Sequence, residues 1–323
     1  MTGGMRRFDV CNGDADGLCA VLQWRLAHPA PATLVTGLKR ELALLQTVPA
    51  EAGDEVLVCD LSMQRNHAAL LRLLDAGVRV RYIDHHKVDQ VPAHAALQAC
   101  IDTDARVCTS LLMDRLLEGR FRPWALVGAY GDNLGTVADA LADGLGLGAS
   151  EREQLCRLGE GINYNAYGDD VSDQYIAPQQ LYARLAQHTH PLELLRHDGI
   201  GHELDTLRRS DLQQALAQPV HAAGSGARWV RLPDAAWARR VIGSFANTLA
   251  SGEPAQAHAV LQTARRGGYV VSLRAPQATP GGADEFCRRF GGGGRAGAAG
   301  IDHLPDSELP RFVAELSSAH WGA

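Results

Sequence analysis

The sequence predicts an α/β protein with an N-terminal, mostly parallel sheet flanked by helices, followed by a smaller C-terminal α/β domain. Short apolar runs alternate with amphipathic stretches through the first half of the chain, which is the pattern of a parallel sheet with crossover helices. A second series of strand-like runs begins near residue 223. The hydrophobic content of 46% and charged content of 21% are ordinary for a globular protein.

The elements of the first half follow from this alternation and from turn residues. Strands are predicted at 8–11, 33–36, 56–59 and 78–83. Helices are predicted at 17–28, 64–75, 107–117 and 124–130. Ser150 and Glu153 stand at capping-box spacing, which predicts that another helix begins at Ser150.

The chain divides into three segments. Residues 1–187 form the first domain, the polar helical segment 188–222 is a linker, and residues 223–323 form the second domain. Within the second domain, AHAVLQT and YVVSLR are predicted as two strands joined across the turn at 265–268. The segment 284–290 and the closing segment 307–320 are predicted helices.

Composition excludes several classes of protein. The formal net charge of −6 and the lack of a basic block argue against a protein that grips long duplex nucleic acid. Seven scattered cysteines without a CxxC pair indicate reduced thiols rather than a disulfide or zinc framework. No apolar run is long enough to span a membrane, and the N-terminus lacks the apolar core of a signal peptide, so a cytoplasmic protein without a membrane partner is expected.

Acidic residues follow several of the apolar segments. They are Asp14 and Asp16 in NGDADG, Asp60 in VLVCDLS, Asp84 with His85 and His86 in VRYIDHHK, and Asp132 in ALVGAYGDN. Loops at the carboxyl ends of parallel strands converge on one crevice. Acids brought together there repel one another unless a cation neutralises them, and oxygen ligands with imidazoles suit Mn²⁺ or Mg²⁺.

Each of these residues also has a simpler explanation. An Asp before Gly is a common turn residue, and Asp60 can cap the helix that follows it. Turns and caps do not explain four segments that each end in acidic residues, together with two adjacent histidines. The set therefore favours a metal site.

These motifs resemble those of the DHH phosphoesterases, a family named for the triplet at 84–86. DADG, Asp60, the triplet and Asp132 match its four motifs in order, while SLRA and GGGGRAGAAG resemble its C-terminal DHHA1 domain. The resemblance covers nearly the whole chain. It identifies the predicted first domain as a DHH domain and the second as a DHHA1 domain.

The resemblance implies a two-metal centre with Mn²⁺, for which Mg²⁺ or Co²⁺ are substitutes. Asp14 matches a ligand of the first ion, Asp60 the carboxylate that bridges both, and three residues match ligands of the second ion. Those three are Asp16, His85 and Asp132. His86 matches the histidine that faces the substrate phosphate, and Asp84 would orient the two histidines.

In the second domain, the glycines let the backbone approach a ligand closely. Gly293, Gly294 and Arg295 are predicted to bind substrate, and Arg274 is predicted as a second phosphate clamp because a guanidinium forks onto phosphate oxygens. A flexible linker is the alternative interpretation of the four glycines.

The sequence departs from the family pattern at two positions. Many members have a histidine four residues before the first Asp of DxD, where this chain has Val10. RecJ-like members instead have an acid where Asn12 stands, and Asn12 can ligate only through a neutral amide oxygen. Arg295 stands where DHHA1 domains usually have His.

The resemblance therefore predicts an Mn²⁺-dependent phosphoesterase that hydrolyses phosphodiester or phosphomonoester bonds of small nucleotides or short oligonucleotides. Cyclic dinucleotides and polyphosphate are alternative substrates. A nucleotide-binding sensor with little catalysis is the alternative outside the enzyme class. Relatives are often dimers, which allows a homodimer here.

Overall fold

A computed structural model describes residues 4–322 of the chain. Its contacts divide the chain into two compact units, Met1–Thr206 and Leu207–Ala323. This boundary falls inside the segment 188–222 that the sequence predicts as a linker, and the three-segment division itself stays a prediction. The predicted α/β fold class is confirmed. No helix within 4–322 has both the length and the apolar character needed to cross a membrane.

The first unit contains a five-stranded, all-parallel sheet in the order β2-β1-β3-β4-β5. The strands are β1 (Arg7–Asn12), β2 (Thr33–Gly37), β3 (Glu55–Cys59), β4 (Arg79–Asp84) and β5 (Leu97–Ile101). Because all five run in the same direction, their carboxyl ends lie at one edge.

Helices cover both faces of this sheet. They are α1 (Ala15–Ala27), α2 (Met63–Asp75), α3 (Thr109–Leu116), α4 (Arg122–Gly131), α5 (Gly135–Asp143), α6 (Ala149–Asn165), α7 (Pro178–Leu185), α8 (Pro191–His197) and α9 (Ile200–Leu216), the last of which contains the boundary between the units. Alternate strand residues enter two cores: Cys11 and Ile83 pack with α1, α3 and α4, while Val10 and Tyr82 pack with α2. Burial on both faces accounts for the apolar runs seen in the sequence.

Glycines allow α4 to approach its neighbours closely. A Cβ on Gly128 would lie 2.2 Å from the Ser110 hydroxyl of α3, and one on Gly131 would lie 2.4 Å from Ala15 Cβ of α1. In α6, a Cβ on Gly159 would lie 2.2 Å from the carbonyl oxygen of Val127. These contacts draw α1, α3 and α6 onto α4, which carries Asp132 at its carboxyl end.

The second unit contains a six-stranded mixed sheet in the order β10-β11-β9-β8-β7-β6. Its strands are β6 (Val220–Ala223), β7 (Ala227–Leu232), β8 (Ala257–Thr263), β9 (Tyr269–Arg274), β10 (Gly293–Arg295) and β11 (Ala298–Leu304). Its helices after α9 are α10 (Ala236–Gly252), α11 (Ala283–Arg288) and α12 (Leu309–Ser318). Among the described strands of this sheet, the β7–β8 pair is parallel and the other neighbouring pairs are antiparallel. The predicted pairing of β8 with β9 across the turn at 265–268 is confirmed.

Some expectations from the sequence were wrong or incomplete. Helix α6 begins at Ala149 and not at Ser150, because the Glu151 carboxylate accepts the Gly148 N–H at 2.9 Å and makes Gly148 the N-cap. The strands β5, β6, β10 and β11 and the helices α5 and α7 were not predicted. Each is short or lacks a strong apolar period.

We predict that Gly159→Ala destabilises the protein by about 1–3 kcal/mol, because its Cβ would meet rigid backbone of α4 rather than a movable side chain. Gly135→Ala is the matched control, since a Cβ there has nothing within 4 Å. Urea unfolding of both variants measures the difference. Equal stabilities would mean that the close approach of α4 and α6 is not needed.

Candidate metal centre

The first unit brings the predicted site residues of the four motifs to the carboxyl edge of its sheet. Asp14 caps α1 directly after β1, and Asp16 lies in the first turn of α1. Asp60 follows β3, Asp84 ends β4, and His85 and His86 come next. Asp132 is the C-cap of α4 and so reaches the site from a helix rather than from a strand.

Asp16 is held by backbone N–H groups. Its two carboxylate oxygens accept the N–H groups of Thr109 at 2.7 Å and Ser110 at 2.6 Å, at the start of α3. The Ser110 hydroxyl in turn donates to the Asp16 carbonyl at 2.7 Å. Neutral donors thereby orient this buried carboxylate, and each oxygen keeps a further lone pair.

Asp60 lies at the centre of the group. It is buried, and its backbone adopts the left-handed conformation with φ 56°, which Asp tolerates better than most residues. It does not cap α2, whose N-cap is Ser62. Burial, with Asp14 and Asp16 nearby, raises the pKa of the Asp60 carboxyl well above its usual value.

His85 presents one ring nitrogen to the acids. Its Nδ1 lies 3.0 Å from the carbonyl oxygen of Val107, to which it donates, so Nε2 is the nitrogen that is left for a ligand. Nε2 lies 3.4 Å from Asp60 Oδ1 and 4.0 Å from Asp16 Oδ2. Burial alone would lower the pKa of His85, but the hydrogen bond with Asp60 and the charge of Asp16 outweigh it and raise the pKa to about 10.

His86 is oriented by the first residue of the triplet. Its Nδ1 donates to Asp84 Oδ1 at 2.7 Å, and the Asp84 side chain is fully buried. The His86 side chain is 39% exposed, so its second nitrogen can reach a ligand from solvent. Asp84 Oδ2 is buried without a hydrogen-bond partner among the described residues.

A lysine that sequence reasoning missed lies beside Asp14. Lys39 follows β2, and its Nζ lies 2.6 Å from Asp14 Oδ2 and 2.8 Å from Asn163 Oδ1. Burial alone would lower the pKa of Lys39, but the Asp14 carboxylate outweighs it and raises this pKa above its usual value. Burial alone would raise the pKa of Asp14, but the Lys39 ammonium outweighs it and keeps this pKa below its usual value. Lys39 could have been found from the sequence, because residues after any parallel strand reach this edge.

Two further oxygens at the site lack a partner. Asn12 Oδ1 and Asp132 Oδ2 are shielded from solvent and have no hydrogen-bond partner among the described residues. Burial and the charge of Asp16 raise the pKa of Asp132 to about 6, although Lys39 and His85 act in the opposite direction.

This arrangement fits a divalent cation. Asp60, His85 and His86 each offer a ligand atom within 4.8 Å of the others. Asp16 and Asp132 add carboxylates whose charges act on the same group. The raised pKa values of Asp60 and Asp132 reflect burial and the repulsion of neighbouring carboxylates, which a divalent cation would neutralise.

The other predicted site residues belong to the second unit. Gly293, Gly294 and Arg295 form the short strand β10, which pairs antiparallel with β11 and is therefore not a flexible linker. Gly294 has φ 150°, and a Cβ there would lie 2.5 Å from Ala299 Cα. Arg295 is exposed. Arg274 donates to Asn247 Oδ1 at 2.7 Å and to the Leu273 carbonyl at 3.0 Å.

The chain matches no protein-family model and no curated protein sequence. Solved structures do share its fold. A DHH-domain protein described as a member of a family of ribosomal proteins has a TM-score of 0.65 at 15% identity, covering 98% of this chain and 86% of that one. The manganese-bound exonuclease RecJ has a TM-score of 0.61 at 19% identity, covering 98% and 90%. A pGpG-specific phosphodiesterase, PggH from Vibrio cholerae, has a TM-score of 0.57 at 12% identity, covering 98% and 100%. The resemblance to DHH proteins is thus confirmed at the level of the fold.

We predict that the metal-free protein loses stability as the pH rises, in part through Asp132. Its folded pKa of about 6 lies above the ordinary value of 3.8, so its contribution is full below about pH 4 and is lost as the pH rises through 6. Asp132→Asn should remove on the order of 1 kcal/mol of the loss between about pH 5 and pH 7.5.

Urea unfolding of chelator-treated protein at the two pH values measures this difference. Asp75→Asn, which removes an exposed carboxylate from the end of α2, is the control and should leave the loss unchanged. An unaltered pH dependence in Asp132→Asn would show that this carboxyl does not titrate in that range.

Proposed function

We propose that this chain, which has the fold of DHH-domain proteins, is a divalent-metal-dependent phosphoesterase acting on small nucleotides or short oligonucleotides. The observation that carries the proposal is the convergence of Asp14, Asp16, Asp60 and Asp132 with two histidines at the carboxyl edge of a parallel sheet. Carboxylates that repel one another in a partly shielded crevice are stabilised when they bind a cation, and such a cation can act on a substrate.

Asp16, Asp60, His85 and Asp132 would hold a divalent ion. When bound, such an ion polarises a phosphoryl oxygen and lowers the pKa of a coordinated water. We propose Mn²⁺, since the similar RecJ structure is described as manganese-bound, with Mg²⁺ or Co²⁺ as substitutes. The chain itself contributes the orientation of the ligands, because Asp16 is fixed by α3 and His85 by the Val107 carbonyl.

We assign His86 to the phosphate. Asp84 accepts the hydrogen bond from His86 Nδ1–H and holds the ring, so a protonated His86 would present its Nε2–H to a phosphoryl oxygen or to the leaving oxygen. Its partial exposure keeps it accessible to substrate. Asp84 is thereby a positioning residue, since it acts only through the imidazole.

The substrate is proposed to be short. A net charge of −6 disfavours tracking along long nucleic acid, and the similar structures include an exonuclease and a pGpG-specific phosphodiesterase. Arg295, exposed on β10, is proposed to bind a substrate phosphate together with the backbone of Gly293 and Gly294. Arg274 is proposed as the second phosphate clamp.

The test is a hydrolysis screen of the full chain with Mn²⁺. Linear dinucleotides, cyclic dinucleotides, 3′-phosphoadenosine phosphate, a short single strand and polyphosphate are compared side by side. We expect a linear dinucleotide or short oligonucleotide to be preferred, and His86→Ala to lower kcat by about 10²–10⁴-fold through loss of its hydrogen bond and proton.

His67→Ala is the matched control, because His67 is an exposed histidine on α2 outside the site. Preference for a cyclic dinucleotide or for polyphosphate would keep the reaction class and replace the substrate. Nucleotide binding without any turnover would overturn the proposal in favour of a sensor, for which the missing motif histidine at Val10 and the amide at Asn12 are the support.

A further inference from the structure

Lys39 is built into the site rather than free on its surface. Its backbone N–H donates to the Ala166 carbonyl at the end of α6 at 2.9 Å, and its carbonyl accepts from Asn12 Nδ2 at 3.4 Å. Its ammonium contacts Asp14 and Asn163 and lies 5.6 Å from the centroid of the Tyr167 ring. Main chain and side chain together therefore fix a positive charge at Asp14.

Both oxygens of Asp14 are already engaged. Oδ2 accepts from Lys39 Nζ, and Oδ1 accepts the Gly17 N–H at 3.1 Å as the cap of α1. A divalent ion on Asp14 would have to lie within about 2–2.6 Å of one of these oxygens. It would then stand close to the ammonium, which repels it in a region partly shielded from solvent.

The chain also lacks a second charged ligand on this side. Val10 belongs to the core that packs with α2, and Asn12 offers only a neutral oxygen. The opposite side differs: the Asp16 carboxylate accepts two neutral backbone N–H groups, and two potential metal ligands, the Asp60 carboxylate and the His85 imidazole, lie next to it. The side with Asp16 therefore has ligands for a divalent cation, whereas the side with Asp14 already has the Lys39 ammonium.

We propose that the Lys39 ammonium takes the place of one of the two metal ions of a two-metal centre, so that this chain binds a single divalent cation. The inference rests on the proposed function, and it changes the two-ion centre that the family resemblance implies. Lys39 supplies a permanent positive charge beside Asp14 that no chelator removes. Two of its three N–H groups are spent on Asp14 and Asn163, and the third has no acceptor among the described residues. That third donor is available to a phosphate oxygen.

The test counts metal ions on the full-length chain. Chelator-treated protein is dialysed against Mn²⁺, and the bound metal per chain is measured by elemental analysis and by calorimetric titration. Electron paramagnetic resonance then distinguishes an isolated Mn²⁺ ion from an exchange-coupled pair. We expect one ion per chain and the signal of an isolated ion.

Two variants test whether Lys39 is responsible. Lys39→Met keeps the length of the side chain without its charge, and Lys39→Met with Asn12→Asp also restores the acid of the RecJ-like pattern. We expect the double variant to bind a second Mn²⁺ and to show a coupled signal. Arg40→Met is the matched control, since it removes an exposed positive charge at the next position and should still bind one ion.

The outcomes separate the inference from the proposed function. Two ions on the unaltered chain overturn the inference and leave the phosphoesterase proposal standing. No bound ion overturns both. One ion on the unaltered chain and still one on a folded double variant would show that Lys39 does not exclude the second. If the variants do not fold, the ion count and the signal of the unaltered chain decide the matter alone.

Discussion

Repulsion among carboxylates at one edge of a parallel sheet is the constraint on which the rest of this site depends. Asp14, Asp16 and Asp60 are buried, and Asp132 is partly so. Each is stabilised differently: Asp14 by the Lys39 ammonium, Asp16 by two backbone N–H groups, and Asp60 by the Nε2 side of His85. Asp132 Oδ2 has no such partner among the described residues, and burial together with the charge of Asp16 raises the pKa of Asp132. The imbalance that remains is one that a bound cation would relieve.

Close packing between the helices α1, α3 and α4 holds two of these carboxylates, Asp16 and Asp132, in position. Asp16 can accept from Thr109 and Ser110 only if α3 begins beside α1, and Gly128 provides that space, because a Cβ there would strike the Ser110 hydroxyl. Gly131 lets α4 approach Ala15 in the same way and brings Asp132 to the site. The helical glycines therefore help to set the distances between the carboxylates, because they allow the helices to pack closely.

Two aspartates of the candidate site, Asp60 and Asp84, show how backbone conformation and burial position the side chains there. Asp60 adopts a left-handed backbone conformation directly after β3, with its N–H donating to the Ile83 carbonyl at 3.1 Å. That conformation turns its carboxylate toward His85 instead of continuing the strand. Asp84, one strand away, holds the His86 ring from a fully buried position. The two histidines of the triplet therefore face different partners: His85 Nε2 lies beside Asp60 and Asp16, whereas His86 Nδ1 contacts Asp84.

The sequence alone determined the fold class, most elements of the first sheet and the acidic and histidine positions of the site. Hydrophobic period and strand ends are local properties, and parallel strands carry whatever follows them to one edge. Only the tertiary structure decided that Asp16 accepts the first N–H groups of α3, and that Lys39 contacts both Asp14 and Asn163. These contacts join residues 25 to 124 positions apart, and their geometry depends on how helices pack across the sheet, which no local pattern encodes.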